Sequence, residues 1–106
     1  MRSVTPQELD QLKLEGKKLF VDYYAPWCGP SITLIPRLEI FENEYTDVTF
    51  VKINIAEHKK NAEELGIGVT PTTMVFNGNQ LVNRSIGVNQ DIFYKKLLDT
   101  LQSSLR

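Results

Sequence analysis

The chain has 106 residues, 42% hydrophobic and 24% charged, with 12 Lys and Arg against 13 Asp and Glu for a formal net charge of −1. That length suits one domain, residues 1–106, whose hydrophobic core needs neither disulfides nor a metal. The near-neutral balance gives no electrostatic grip on nucleic acid or an anionic membrane, and no run approaches the ~18 apolar residues of a membrane span. The single cysteine excludes an internal disulfide. A polar stretch follows Met1 where a secretory signal would be apolar, so the expected location is a reducing cytoplasm.

Elements alternate along the chain. After a short strand at residues 2–4, Thr5-Pro6-Gln7-Glu8 reads as a helix start, with Thr5 as N-cap, Pro6 at the first helical position and Glu8 closing a capping box. That helix runs to about Leu14 and stops at Gly16. Residues 18–24, Lys-Leu-Phe-Val-Asp-Tyr-Tyr, form a nearly continuous apolar run of strand length, as expected of a central strand covered on both faces. From Pro30 to about Tyr45, Ile32, Leu34, Ile35, Leu38, Phe41 and Tyr45 recur at helical spacing, and Pro36 kinks this helix without ending it. Residues 48–55 read as a second strand and 59–65 as a short helix closed by Gly66. Residues 72–76 and 80–86 make a hairpin around Asn77-Gly78-Asn79. A last helix begins near Asn89 and carries Ile92, Phe93, Leu97, Leu98, Leu101 and Leu105 on its buried side. Tyr23, Phe20, Phe50, Phe76 and Phe93 are read as core.

Strand-helix-strand followed by an antiparallel hairpin implies an α/β fold with a mixed sheet between helices and a right-handed crossover. Sites in such sheets lie at the carboxyl ends of the central strands, where Trp27-Cys28-Gly29-Pro30-Ser31 falls. With a helix starting at about Pro30, Cys28 sits where unpaired N–H groups and the helix dipole favour an anion, and the available anion is a thiolate. Burial as a small core residue is the competing reading, and the Trp, Gly and Pro flanks at a strand-to-helix junction argue against it. Trp27 shields one side of the sulfur and offers a flat apolar surface to an incoming peptide. His58 has no Cys or His companions and reads as solvent-facing, and Lys59-Lys60 as a solvated helix start.

The run Val21-Asp22-Tyr23-Tyr24-Ala25-Pro26-Trp27-Cys28-Gly29-Pro30 resembles the thioredoxins. So do Phe50-Val51-Lys52-Ile53-Asn54, Val69-Thr70-Pro71-Thr72 and the Gly87 region, and the resemblance covers essentially the whole chain. It implies the thioredoxin fold, a central mixed sheet of four to five strands flanked by about four helices, and thiol–disulfide oxidoreductase activity. By resemblance, Cys28 is the nucleophile that forms a mixed disulfide, and Ser31 stands where a second cysteine would resolve it. Asp22 corresponds to a buried carboxylate behind the site, the alternative being a strand-edge carboxylate in water. Lys52 on the neighbouring strand either pairs with Asp22 or is solvated. Trp27, Gly29, Pro30, Thr70, Pro71 and Gly87 are the expected substrate-binding residues. The resemblance favours a cis bond before Pro71, an isomer that sequence alone does not decide. Two further departures are Ile32, where Lys or Arg is usual, and Tyr24, where Trp is common.

The expected partners are disulfide-containing target proteins and a thioredoxin reductase, with no cofactor and no metal. The expected state is a monomer that links through Cys28 when oxidised. The favoured reading is a dithiol disulfide reductase whose second cysteine has been changed to serine, which traps the mixed disulfide. One alternative is a natural single-cysteine protein using glutathione as an isomerase or deglutathionylating enzyme, or a thiol-dependent binding module. An iron–sulfur carrier of glutaredoxin type is disfavoured by Trp27 and Pro30.

Overall fold

The computed structural model describes residues 1–103. Its elements in chain order are β1 (Arg2–Ser3), α1 (Pro6–Leu14), β2 (Lys18–Tyr24), α2 (Gly29–Glu44), β3 (Val48–Asn54), α3 (Lys59–Glu64), β4 (Thr72–Asn77), β5 (Gln80–Ile86) and α4 (Asp91–Gln102). The capping box at α1 forms: Glu8 N–H donates to Thr5 Oγ1 at 3.1 Å and Thr5 N–H to Glu8 Oε1 at 2.8 Å. Such a cap stabilises a helix by about 1 kcal/mol.

The sheet order is β1-β3-β2-β4-β5, with β1, β3 and β2 parallel and β4 and β5 antiparallel. This is the mixed sheet with four flanking helices that the sequence implies. β2 lies at its centre, covered on both faces, which is why its apolar run is unbroken. Alternation along β2 sorts its side chains. Leu19, Val21 and Tyr23 join Val4, Leu9, Val51, Ile53, Met74 and Phe76 on the α1 side. Phe20 packs on the opposite side with residues of α2 and α4, among them Leu34, Leu38, Phe41, Tyr94, Leu98 and Leu101. Period two puts Asp22 on Phe20's face, so its carboxylate points toward α2.

The hairpin closes with Asn77 opposite Gln80, and Gly78, at φ +61°, supplies the left-handed residue its two-residue turn needs. Gly78 N–H donates to the Lys17 carbonyl at 2.8 Å, which ties the turn to the start of β2. α2 continues through Pro36 and buries Ser31, Leu34, Leu38 and Phe41, leaving Ile32 exposed and Ile35 half-buried.

α4 corrects the sequence reading. Its buried stripe is Tyr94, Leu98 and Leu101, flanked by half-buried Phe93 and Leu97, and Ile92 is exposed. Ile92 and Tyr94 lie roughly 200° apart around the helix, so both cannot face the core. Leu105 lies outside the described residues. Tyr94 takes the central place, its ring edge-on to Phe20, Phe41 and Phe93 at 5.8, 6.5 and 5.6 Å between centroids. Its hydroxyl accepts from Asn89 N–H at 3.0 Å, which satisfies the polar end of a fully buried ring.

Candidate active site

At the carboxyl end of β2 the chain passes through buried Ala25 and exposed Pro26 and Trp27 to Cys28, the N-cap of α2. Cys28 N–H donates to the Ala25 carbonyl at 3.1 Å, and the Cys28 carbonyl accepts from Ile32 N–H at 3.1 Å. Pro30 fits the first turn because it has no N–H to satisfy there. Ser31 is fully buried and its Oγ accepts from Ala25 N–H at 3.4 Å, closing the turn from beneath. No local sequence signal points to this bond. The half-exposed sulfur thus stands above a hydroxyl that solvent does not reach.

A second loop meets the sulfur. The Thr70–Pro71 bond is cis, and the Thr70 carbonyl accepts from Cys28 Sγ at 3.4 Å. Thr72 Oγ1 donates to the Val69 carbonyl at 2.7 Å and so braces that loop. A third loop joins through Gly87, whose N–H donates to the Pro71 carbonyl at 2.7 Å. Gly87 has φ +80°, a conformation that would strain any side chain.

The surroundings hold the Cys28 thiol below the ordinary cysteine range. Hydrogen bonding from the Thr70 side chain contributes most, then the Ser31 backbone N–H, with the Ser31 hydroxyl the smallest; partial desolvation opposes them. The S–H contact with the Thr70 carbonyl favours the neutral thiol, and the donors outweigh that single acceptor. Cys28 makes no side-chain cap bond as a thiol, which leaves the first-turn N–H groups of α2, that of Ser31 among them, to favour a thiolate.

Asp22 is fully buried with no hydrogen-bond partner on either oxygen, and Thr73, its register partner on β4, has an unpartnered hydroxyl. The structure therefore rejects the water-facing alternative. Desolvation pushes the Asp22 pKa up from 3.8 to about 7, with the Lys52 charge pulling the other way. The direct pairing of Lys52 with Asp22 is also corrected. The two are neighbours in register on β3 and β2, but no ion pair forms, and the Lys52 ammonium lies 5.6 Å from the Tyr24 ring centroid. The long lysine stem carries its charge toward the strand end, while the short carboxylate stays beneath α2.

Around Cys28 the surface is apolar. Trp27 is 70% exposed, and Ile32, Val69, Ile86 and Val88 are each more than 40% exposed. Gly29 and Pro30 are exposed between them. The loops brought together at the sulfur thus carry Trp27, Gly29, Pro30, Thr70, Pro71 and Gly87. His58 is half-buried at the start of α3, and among the described residues no group of three His, Cys, Asp or Glu forms a metal site. Among the same residues, no helix is long and apolar enough to cross a membrane.

The family model for thioredoxin matches residues 2–101. The chain belongs to the thioredoxin family. It is 35% identical to the thioredoxin of Mycoplasmoides gallisepticum over 99 residues, covering 92% of this chain and 99% of that one. It is 34% identical over 92 residues to the mitochondrial thioredoxin-3 of Saccharomyces cerevisiae, covering 87% of this chain and 72% of that one. The crystal structure of oxidised mitochondrial thioredoxin 3 from S. cerevisiae superposes with a TM-score of 0.83 at 32% identity, covering 93% of this chain and 94% of that one. A mutant thioredoxin from Halobacterium salinarum superposes with a TM-score of 0.87 at 27% identity, covering 99% of this chain and 93% of that one. Membership makes the chain a thioredoxin-type member of a thiol–disulfide oxidoreductase family.

Proposed function

We propose that the chain exchanges thiols and disulfides through one sulfur, Cys28, and that Ser31 leaves the first product in place. The Cys28 thiolate attacks one sulfur of a target disulfide. A new S–S bond forms as the target bond breaks, and the other target sulfur leaves as a thiolate that takes a proton from solvent. A hydroxyl at position 31 is hardly ionised at neutral pH and forms no stable S–O counterpart. The mixed disulfide therefore persists until an outside thiol attacks it, and that thiol ends in the new disulfide. The observation that carries this reading is a half-exposed sulfur at the N-cap of α2, against the Thr70 loop and above buried Ser31, in surroundings that favour its ionised form.

The apolar surface around Trp27 suits the polypeptide of a target protein, with the half-buried Thr70 backbone beside the sulfur as the pairing point for an extended segment. Buried Asp22 supports reading Ser31 as the replacement of a resolving cysteine, because a carboxylate with a pKa near 7 suits proton transfer to a second thiol. On this reading the chain is a trapping form of a dithiol disulfide reductase. A thioredoxin reductase is then the partner of the form carrying cysteine at position 31, and a reducing cytoplasm suits the exposed thiol.

The pH dependence of Cys28 alkylation by iodoacetamide tests the activated thiol. The rate rises with pH as the thiolate forms, and its midpoint is expected below that of an ordinary cysteine, with no labelling of Cys28→Ser. A midpoint at or above the ordinary cysteine value contradicts the reading.

A further inference from the structure

Arg37 reaches from α2 to the segment between β5 and α4. Its Nη2 donates to the Asn89 carbonyl at 2.6 Å and to Asp91 Oδ1 at 2.6 Å, and its Nε donates to the same Oδ1 at 3.0 Å. The guanidinium carbon lies 5.9 Å from the Tyr94 ring centroid. From the interior, the Tyr94 hydroxyl accepts from Asn89 N–H at 3.0 Å. Asn89 is thus gripped at both its N–H and its carbonyl by side chains of two helices. α4 lacks a cap of its own, since Gln90 makes no side-chain cap bond, so Arg37 and Tyr94 supply the restraint at its start.

The held segment forms part of the site. Two residues before Asn89, Gly87 is bonded to Pro71 at 2.7 Å, and exposed Ile86 and Val88 flank it. The other end of the clamp is the helix whose N-cap is Cys28. Arg37 therefore couples the nucleophile's helix to an apolar wall of the site. Asp91 is largely exposed, so the ion pair itself contributes little to stability, whereas the planar fork fixes direction.

We propose that Arg37 is a positioning residue for target-protein recognition, setting where Ile86 and Val88 meet the polypeptide around the target disulfide. This rests on the thiol–disulfide reading above. The test compares Arg37→Met with the unmodified chain in rates of adduct formation with insulin and with 2-hydroxyethyl disulfide, which has no polypeptide. The insulin rate falls roughly tenfold, the scale of one charge-assisted hydrogen bond, while the small-disulfide rate and the Cys28 alkylation profile stay unchanged. Amide exchange at Asn89 accelerates in the same variant. An unchanged insulin rate, or an equal loss on both disulfides, overturns the proposal. Should the unmodified chain react with neither disulfide, the thiol reading falls. Unchanged Asn89 exchange in Arg37→Met then overturns the clamp as well, and faster exchange upholds it.

Discussion

Ser31→Cys is expected to convert a reagent that stalls after one exchange into a multiple-turnover disulfide reductase. Position 31 lies one turn beyond the Cys28 cap, on the buried face of α2. A thiol there attacks the mixed disulfide from within the molecule. Even an effective concentration of ~1 M, far below the values reached by well-oriented groups, exceeds a millimolar external thiol by roughly 10³-fold. Electrons balance because the new disulfide joins positions 28 and 31 while the target leaves with both sulfurs reduced. A thioredoxin reductase or dithiothreitol then restores the dithiol. Insulin reduction followed by turbidity measures the gain. A Ser31→Cys protein that accumulates the same long-lived adduct as its parent contradicts the account.

Asp22→Asn is expected to stabilise the protein, increasingly so as pH rises. The unfolded carboxyl titrates near 3.8 and the folded one at about 7. Between these values the folded state holds a proton that the unfolded state has lost, so stability falls as pH rises and the full penalty applies above about 7. At 1.36 kcal/mol per pKa unit, the penalty is on the order of 4 kcal/mol. Asparagine cannot ionise and keeps the shape. Urea unfolding at pH 4 and pH 8 should therefore show nearly equal stability for variant and parent at the lower pH and a gain of a few kcal/mol at the higher. A gain independent of pH would mean that Asp22 does not titrate in the folded protein between these values.

The elements were legible in the sequence because their signals are local. The Thr5 capping box, the period of α2 and the glycine turn at Gly78 each involve a few adjacent residues, and the structure places each within a residue or two of expectation. α4 was harder because Ile92, Phe93 and Tyr94 are consecutive large side chains, and only packing against Phe20 and Phe41 selects Tyr94 for the interior. At the site, Cys28 and its flanks were plain in the motif. The Ala25–Ser31 bond, the missing Asp22–Lys52 ion pair and the Arg37 clamp were not, because each depends on where a side chain ends after the sheet and helices have packed. Arg37 and Asn89 are 52 residues apart, beyond any local pattern.

The most direct measurement of the central claim is intact mass of the chain mixed with insulin, recorded before and after a chase with glutathione. The account predicts a one-to-one mixed disulfide through Cys28 that persists until the thiol is added and is absent with Cys28→Ser. No adduct, or rapid multiple turnover with glutathione and no trapped species, contradicts it.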